Sequence, residues 1–197
     1  MNRQEQLDKL LAEGDGILQT SAVIAAGVTK PVLYQYIRQN NLEQAAHGIY
    51  VSKDAWVDGM YLLHLCCAPA VFSHESALFF HDLTDREPSP YSVSVQRGYS
   101  PTRLKADGIT VYTVKKELYP IGITSAKTPF GHTVPTYDME RTICDLIRCR
   151  NDMEVQTFQD ALKRYAKRTD KSLSTLMRYA AQFRVEKVLR QYLEVLL

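Results

Sequence analysis

Several features that would narrow the class of this chain at once are missing from it. No apolar run approaches the roughly 18 residues that a membrane helix needs, so a membrane-spanning protein is not expected. The opening residues, MNRQEQLDKLL, lack the apolar stretch of a secretory leader, and a cytoplasmic location is expected. Four cysteines are present (Cys66, Cys67, Cys144 and Cys149), but no CxxC pair and no zinc-site spacing. There is no P-loop and no GxGxxG turn to cradle a phosphate. Neither a metal nor a cofactor is therefore expected. Charge of one sign is also lacking, because 24 Lys and Arg face 22 Asp and Glu. A net charge of +2 does not by itself point to nucleic acid.

What is present is an ordinary globular composition, with 45% hydrophobic and 23% charged residues, enough to bury a core. A length of 197 residues suits one or two domains. The charge is unevenly spread. Residues 1–51 hold 4 Lys/Arg against 5 Asp/Glu, residues 52–151 hold 11 against 11, and residues 152–197 hold 9 against 6. The positive excess lies in the last quarter.

The first quarter reads as a sequence of short, well-punctuated elements. Leu7, Leu10 and Leu11 have helical spacing, and Gly14-Asp15-Gly16 ends that helix. Thr20 or Ser21 can cap a second helix rich in small residues, which Gly27 breaks. Thr29 can cap a third, with Pro31 in its first turn, where a missing N–H is harmless. Leu33, Tyr36 and Ile37 share one face of that helix, while Lys30, Tyr34, Gln35 and Arg38 project elsewhere. Two short helices joined by a Gly-containing turn, the second with polar groups outward, follow the helix-turn-helix plan. Two strand-like runs around Ala46-His47-Gly48 then supply a wing.

The residues expected to meet DNA are Thr29, Lys30, Tyr34, Gln35, Arg38 and His47. An amide such as Gln35 pairs with adenine, and Arg38 or Lys30 reaches guanine or phosphate. Tyr34 suits a phosphate or sugar, and His47 at the wing tip suits the minor groove or backbone. Because residues 1–51 carry no positive excess, Lys163, Arg164, Lys167 and Arg168 on a later helix are expected to add phosphate contacts. A solvated helix face is the competing reading for each of these groups.

After residue 53 the character changes. DAWVDGMYLLHLCC reads as a buried helix, and SHESALFFHDL as another that Ser73 would cap. The runs YSVSVQRG, GITVYTVKK, 121–126 and 133–136 alternate like strands of a mixed or antiparallel sheet. Asp138 is placed to cap MERTICDLIR, and three further amphipathic helices complete the chain. The expected fold is thus α+β: a winged helix-turn-helix over 1–52, then a mixed α/β domain over 53–197 ending in a helical bundle.

Enzymatic readings find little support. Ser73-His74-Glu75 contains nucleophile-like residues, but adjacency in sequence is not a triad. Asp107, Lys115, Lys116 and Glu117 would suit a nuclease only if the fold gathered them. No catalytic residue is expected.

Three motifs in order carry a family resemblance: His47-Gly48-Ile49-Tyr50-Val51; Ser73-His74-Glu75-Ser76-Ala77-Leu78 with His81-Asp82-Leu83; and Tyr137-Asp138-Met139-Glu140-Arg141-Thr142-Ile143-Cys144-Asp145-Leu146. With the N-terminal winged helix that closes on the first of them, their order and spacing cover most of the chain, from about residue 5 to about residue 195, and the chain resembles the AbiEi-type antitoxins of type IV toxin–antitoxin (abortive infection) systems. The resemblance implies a protein that represses its own operon by binding inverted repeats in promoter DNA through the winged helix. It also implies a second domain that counters a nucleotidyltransferase-like toxin without a tight inhibitory complex. The expected partners are that toxin and double-stranded promoter DNA, and the expected state is a monomer binding repeats cooperatively. Within the motifs, Arg141 is expected to pair with Glu75 or Asp145. A ligand-responsive repressor and a DNA-targeted nuclease are the alternative functions.

Overall fold

The structure is a computed structural model describing residues 2–196. It is α+β, and it divides into two compact units that meet at Cys66 and Cys67.

The first unit opens with α1 (Arg3–Glu13), whose first turn is fixed by the Asn2 amide donating to Glu5 Oε2 at 2.9 Å. Asp15 and Gly16, both at positive φ, reverse the chain into β1 (Ile17–Gln19). Gly16 is required there: a Cβ would lie 2.7 Å from that of Ala55. Next come α2 (Thr20–Ala25), the turn at Gly27, and α3 (Lys30–Gln39). A hairpin of β2 (Glu43–Ala46) and β3 (Ile49–Val51) follows, then α4 (Gly59–Cys66). The strands form an antiparallel sheet in the order β1-β3-β2.

Alternation along these strands explains why the first unit reaches Cys66 instead of ending near residue 52. Leu18 and Tyr50 face the helices, in a core with Leu7, Val23, Leu33 and Tyr36. Ile17, Ile49 and Val51 point to the other face, where Tyr61, Leu62 and Leu65 of α4 cover them. The helix expected from residue 54 starts only at Gly59, and Trp56 before it is 83% exposed. Cys66, at the end of the run read as a buried helix, is also exposed.

The second unit is built on a mixed sheet in the order β6-β5-β4-β8-β7. Its strands are β4 (Val71–Phe72), β5 (Ser92–Gln96), β6 (Thr110–Val114), β7 (Ile123–Lys127) and β8 (Thr133–Tyr137). Helix α5 (Glu75–Phe80) follows β4, and α6 (Thr102–Ala106) is the crossover between the parallel strands β5 and β6. Four helices close the unit: α7 (Met139–Arg148), α8 (Val155–Lys167), α9 (Leu173–Gln182) and α10 (Glu186–Leu196). Helix α7 is central to them, with every side chain from Met139 to Ile147 buried.

Of the expectations about local chemistry, the Ser73 cap is overturned, and the choice between two partners for Arg141 is resolved. Asp138 caps α7 as expected, accepting from the Arg141 amide at 2.7 Å. Ser73 does not cap α5. His74 stands at that boundary with φ of +50°, and the Ser73 hydroxyl instead accepts from Ser94 at 2.9 Å inside the sheet. Arg141 pairs with Asp145, not Glu75, because i,i+4 positions share one face of α7.

Candidate nucleic-acid interface

Helix α3 separates its two faces sharply. Leu33 and Tyr36 are buried, and Val32 and Ile37 half-buried, whereas Lys30, Tyr34, Gln35, Arg38 and Gln39 stand in solvent. Lys30, Tyr34 and Arg38 follow one another at four-residue steps and form one row. Gln35 and Gln39 make a second row beside it. Thr29 immediately precedes the helix and is exposed, and Pro31 occupies its first turn. The five residues expected on this element therefore converge on one surface.

Both edges of that surface are held by neighbouring elements. On one side Tyr34 neighbours Tyr50 of β3; burial first, and then this neighbour, push the Tyr50 phenol above its usual range. On the other side, Gln4 Nε2 of α1 donates to Gln39 Oε1 at 3.3 Å, and Tyr36 Oη donates to Asp8 Oδ1 at 2.5 Å. His47 and Gly48 form the two-residue tip of the β2–β3 hairpin, with Gly48 at φ +74° and His47 exposed. The tip is anchored next to α2 by the Thr20 amide, which donates to the Gly48 carbonyl at 2.8 Å.

The absence of a positive excess in residues 1–51 has a local explanation. From Gly16 to Leu42 the chain carries Lys30 and Arg38 and no acidic residue. The acids of α1 each have a partner away from the Lys30–Arg38 row: Glu5 at the Asn2 amide, Asp8 at Tyr36 on the buried face of α3, and Glu13 with Lys9 at 3.7 Å. The row on α3 is thus locally cationic within a unit that is not.

The later basic helix is less available than its sequence implies. Arg164 is bound by Asp85, and Arg168 chelates Asp170 through two bonds of 2.7 Å. Lys163 and Lys167 are exposed, and neither has an ion pair among the described residues.

Sequence reasoning missed the polar interior of the second unit. His74 is buried, stacked on the Tyr112 ring at 3.4 Å, and bonded through Nδ1 to Ser73 Oγ at 3.0 Å. Its Nε2 lies 3.5 Å from the Cys149 thiol. Burial first, then the charges of Arg141 and Arg148, lower its pKa to about 3. Ser73 and His74 do touch, but at 0% and 3% exposure they face no substrate. Asp107 and the Lys115–Glu117 group lie beyond opposite ends of β6, so the fold does not gather them. Five strand residues separate them by roughly 17 Å.

No protein-family model matches the chain, and no curated protein matches it by sequence. Among solved structures it is similar to the Rv2827c protein from Mycobacterium tuberculosis, with a TM-score of 0.61 and 14% identity over 89% of this chain and 69% of that one. At this identity the likeness concerns the fold, and it agrees with the α+β architecture. No helix among the described residues is long and apolar enough to cross a membrane.

Proposed function

We propose that the chain is a DNA-binding transcriptional repressor. Its first unit is a winged helix-turn-helix, with α2 and α3 as the helix pair and the β2–β3 hairpin as the wing. The observation that carries this reading is the exposed row of Lys30, Tyr34 and Arg38 beside Gln35, held between β3 and α1 with no acid interleaved. A helix with these side chains outward enters the major groove, where amide and guanidinium groups read base edges. Repression then follows from occupying the promoter.

The second unit is the antitoxin in this reading. The resemblance carried by residues 73–83 and 137–146 supports it, and the partner is a nucleotidyltransferase-like toxin. One variant tests both halves. Gln35→Ala with Arg38→Ala is expected to weaken binding to a duplex from upstream of the protein's own coding sequence by about a hundredfold. The same variant is expected to rescue growth fully when co-expressed with the toxin. Unchanged promoter binding would refute the placement of the reading helix. Failure of the wild type to rescue growth would refute the antitoxin assignment.

A ligand-responsive repressor is the second reading. A cavity of about 390 Å³ in the second unit, lined by Leu78, Arg86, Glu87, Pro90, Met153 and Glu154, favours it. A small molecule that releases the promoter complex would distinguish it from the first.

A further inference from the structure

The reading face does not end at the edge of α3. A groove of about 200 Å³ runs between α1 and α3, with Arg3 and Gln4 on one wall and Gln35 and Gln39 on the other. Gln35 therefore belongs both to the reading row and to this groove. Its polar lining side chains are a guanidinium, carboxamides and one phenol, and the nearest acids are already bonded: Asp8 accepts from that phenol at 2.5 Å and Glu5 from the Asn2 amide at 2.9 Å. Arg3 is exposed and has no ion pair among the described residues. Its position is also unfavourable for the helix, because a cation in the first turn of α1 opposes the helix dipole. Glu5 in the same turn offsets that effect, and the Arg3 guanidinium is left available to an anion from outside.

A helix lying in the major groove has a phosphate backbone on each side, across a groove about 12 Å wide. On the DNA-binding reading, the hairpin is directed to one of these strands and the α1 side of α3 to the other. We infer that Arg3, with the Gln4–Gln39 pair beside it, is a phosphate seat for the strand opposite the hairpin. This rests on the DNA-binding reading above and extends it to residues for which the helix-turn-helix pattern gave no signal. A contact to phosphate adds affinity without reading sequence, because it works by releasing counterions.

The experiment compares Arg3→Ala, Lys9→Ala and Arg38→Ala, measuring the salt dependence of binding to the upstream duplex and to a random duplex of equal length. Arg3→Ala is expected to weaken both complexes alike, about five- to tenfold at 0.1 M salt, and to reduce the salt slope by about 0.9. Lys9, paired with Glu13 on the same helix, serves as the charge control and is expected to leave the slope unchanged. Gln39→Glu, which places a carboxylate in the groove, is expected to weaken both complexes further than Arg3→Ala does. If Arg38→Ala weakens binding while Arg3→Ala leaves affinity and slope untouched, the phosphate seat is overturned and the DNA-binding reading stands. If neither variant matters, or the wild type binds neither duplex, the DNA-binding reading falls and takes the seat with it. Inorganic phosphate supplies a last arm at constant ionic strength. Should it raise the unfolding temperature of the wild type but not of Arg3→Ala, with DNA affinity equal in both, the groove is a free-anion site and the assignment fails.

Discussion

The guanidinium of Arg141 and the carboxylate of Asp145, one turn apart on α7, meet at 2.8 Å with both side chains closed off from solvent. Arg141 does more than neutralise its partner. Its Nη1 donates to the carbonyls of Leu118 and Ile121 at 2.8 and 2.7 Å. Its two faces are covered by the rings of Tyr137 and Phe183, with centroids 4.0 and 4.1 Å away. One side chain therefore ties α7 to the 118–121 loop, to the end of β8 and to the residue that ends α9. A buried charge is tolerated only with such company, and removing its counter-ion leaves it uncompensated. Asp145→Ala is expected to destabilise the protein by about 3–5 kcal/mol in urea unfolding. Arg141→Lys should not restore wild-type stability, since a point charge satisfies neither the two carbonyls nor the aromatic sandwich. A loss below about 1 kcal/mol for Asp145→Ala would mean that the pair contributes little.

Gly122 shares this region. Its φ is +77°, and a Cβ would lie 2.7 Å from Cβ of Arg141 and 3.1 Å from both carboxylate oxygens of Asp138. The Asp138 amide also donates to its carbonyl at 2.7 Å, which fixes the close approach. Gly122→Ala is expected to cost about 2–4 kcal/mol, combining backbone strain with overpacking. Gly131, also at positive φ (+90°) but with open space around it, is the control. The same substitution there is expected to cost only the backbone part, about 1 kcal/mol.

His74 gives the protein an acid limit. Its backbone φ of +50° and ψ of −122° suit the first central residue of a type II′ turn, which favours Gly, Asn or Asp. The ring is nevertheless held by Tyr112, Ser73 and Cys149. In the folded state it stays neutral down to about pH 3, whereas its ordinary value is 6.5. Between those values the unfolded chain binds the extra proton, so acidification favours unfolding. The stability associated with the neutral ring is complete above pH 6.5 and is lost progressively as the pH falls toward 3. His74→Asn should shed about one proton of uptake on unfolding across that window, read as a shallower fall of stability with pH. Burial raises the pKa values of Asp138 and Asp145, which act in the opposite sense, but both are common to the two proteins and cancel in the comparison. Parallel pH profiles for the two proteins would show that His74 does not set the limit.

The sequence was most legible where local chemistry alone decides the outcome. Pro31 marks the start of α3, where Thr29 holds the N-cap position without a side-chain capping bond; the apolar positions 33, 36 and 37 mark its inner face, and Gly48 marks the hairpin tip. Asp138, three residues before the amide it caps, is of the same kind. Legibility failed where a partner lies far along the chain. Arg164 reads as a free cation until Asp85, 79 residues earlier, is brought against it. A pairing of Arg141 is legible but its full burial is not, because the Leu118 and Ile121 carbonyls that receive it are not visible in a pattern. Ser73 before an apolar run gives the same signal whether its hydroxyl meets a helix amide or another hydroxyl, and the fold supplies Ser94. Strand β1, three residues long, is too short to display a period.

The same failure bears on which charges serve the proposed DNA binding. The count over residues 1–51 led to the expectation that Lys163, Arg164, Lys167 and Arg168 supplement the reader with phosphate contacts. Two of those four are held by Asp85 and Asp170. Three of the five acids in that count lie on α1 and are bonded there or to Tyr36, the other two flank the segment at Asp15 and Glu43, and Gly16 to Leu42 itself carries only cations. A contact that neutralises a phosphate shows in the salt slope whether or not it shows in sequence preference. Lys30→Ala is therefore expected to lower the slope of log K against log salt by about 0.9, measured by fluorescence anisotropy on the upstream duplex. Lys163→Glu with Lys167→Glu is expected to leave that slope unchanged, although it alters the net charge of the chain by four. The size of the reversal makes the test sensitive, since long-range repulsion alone would be screened beyond about 10 Å at 0.1 M salt. A slope that falls by about two in the double reversal would place both lysines on the phosphates and return the second unit to the DNA.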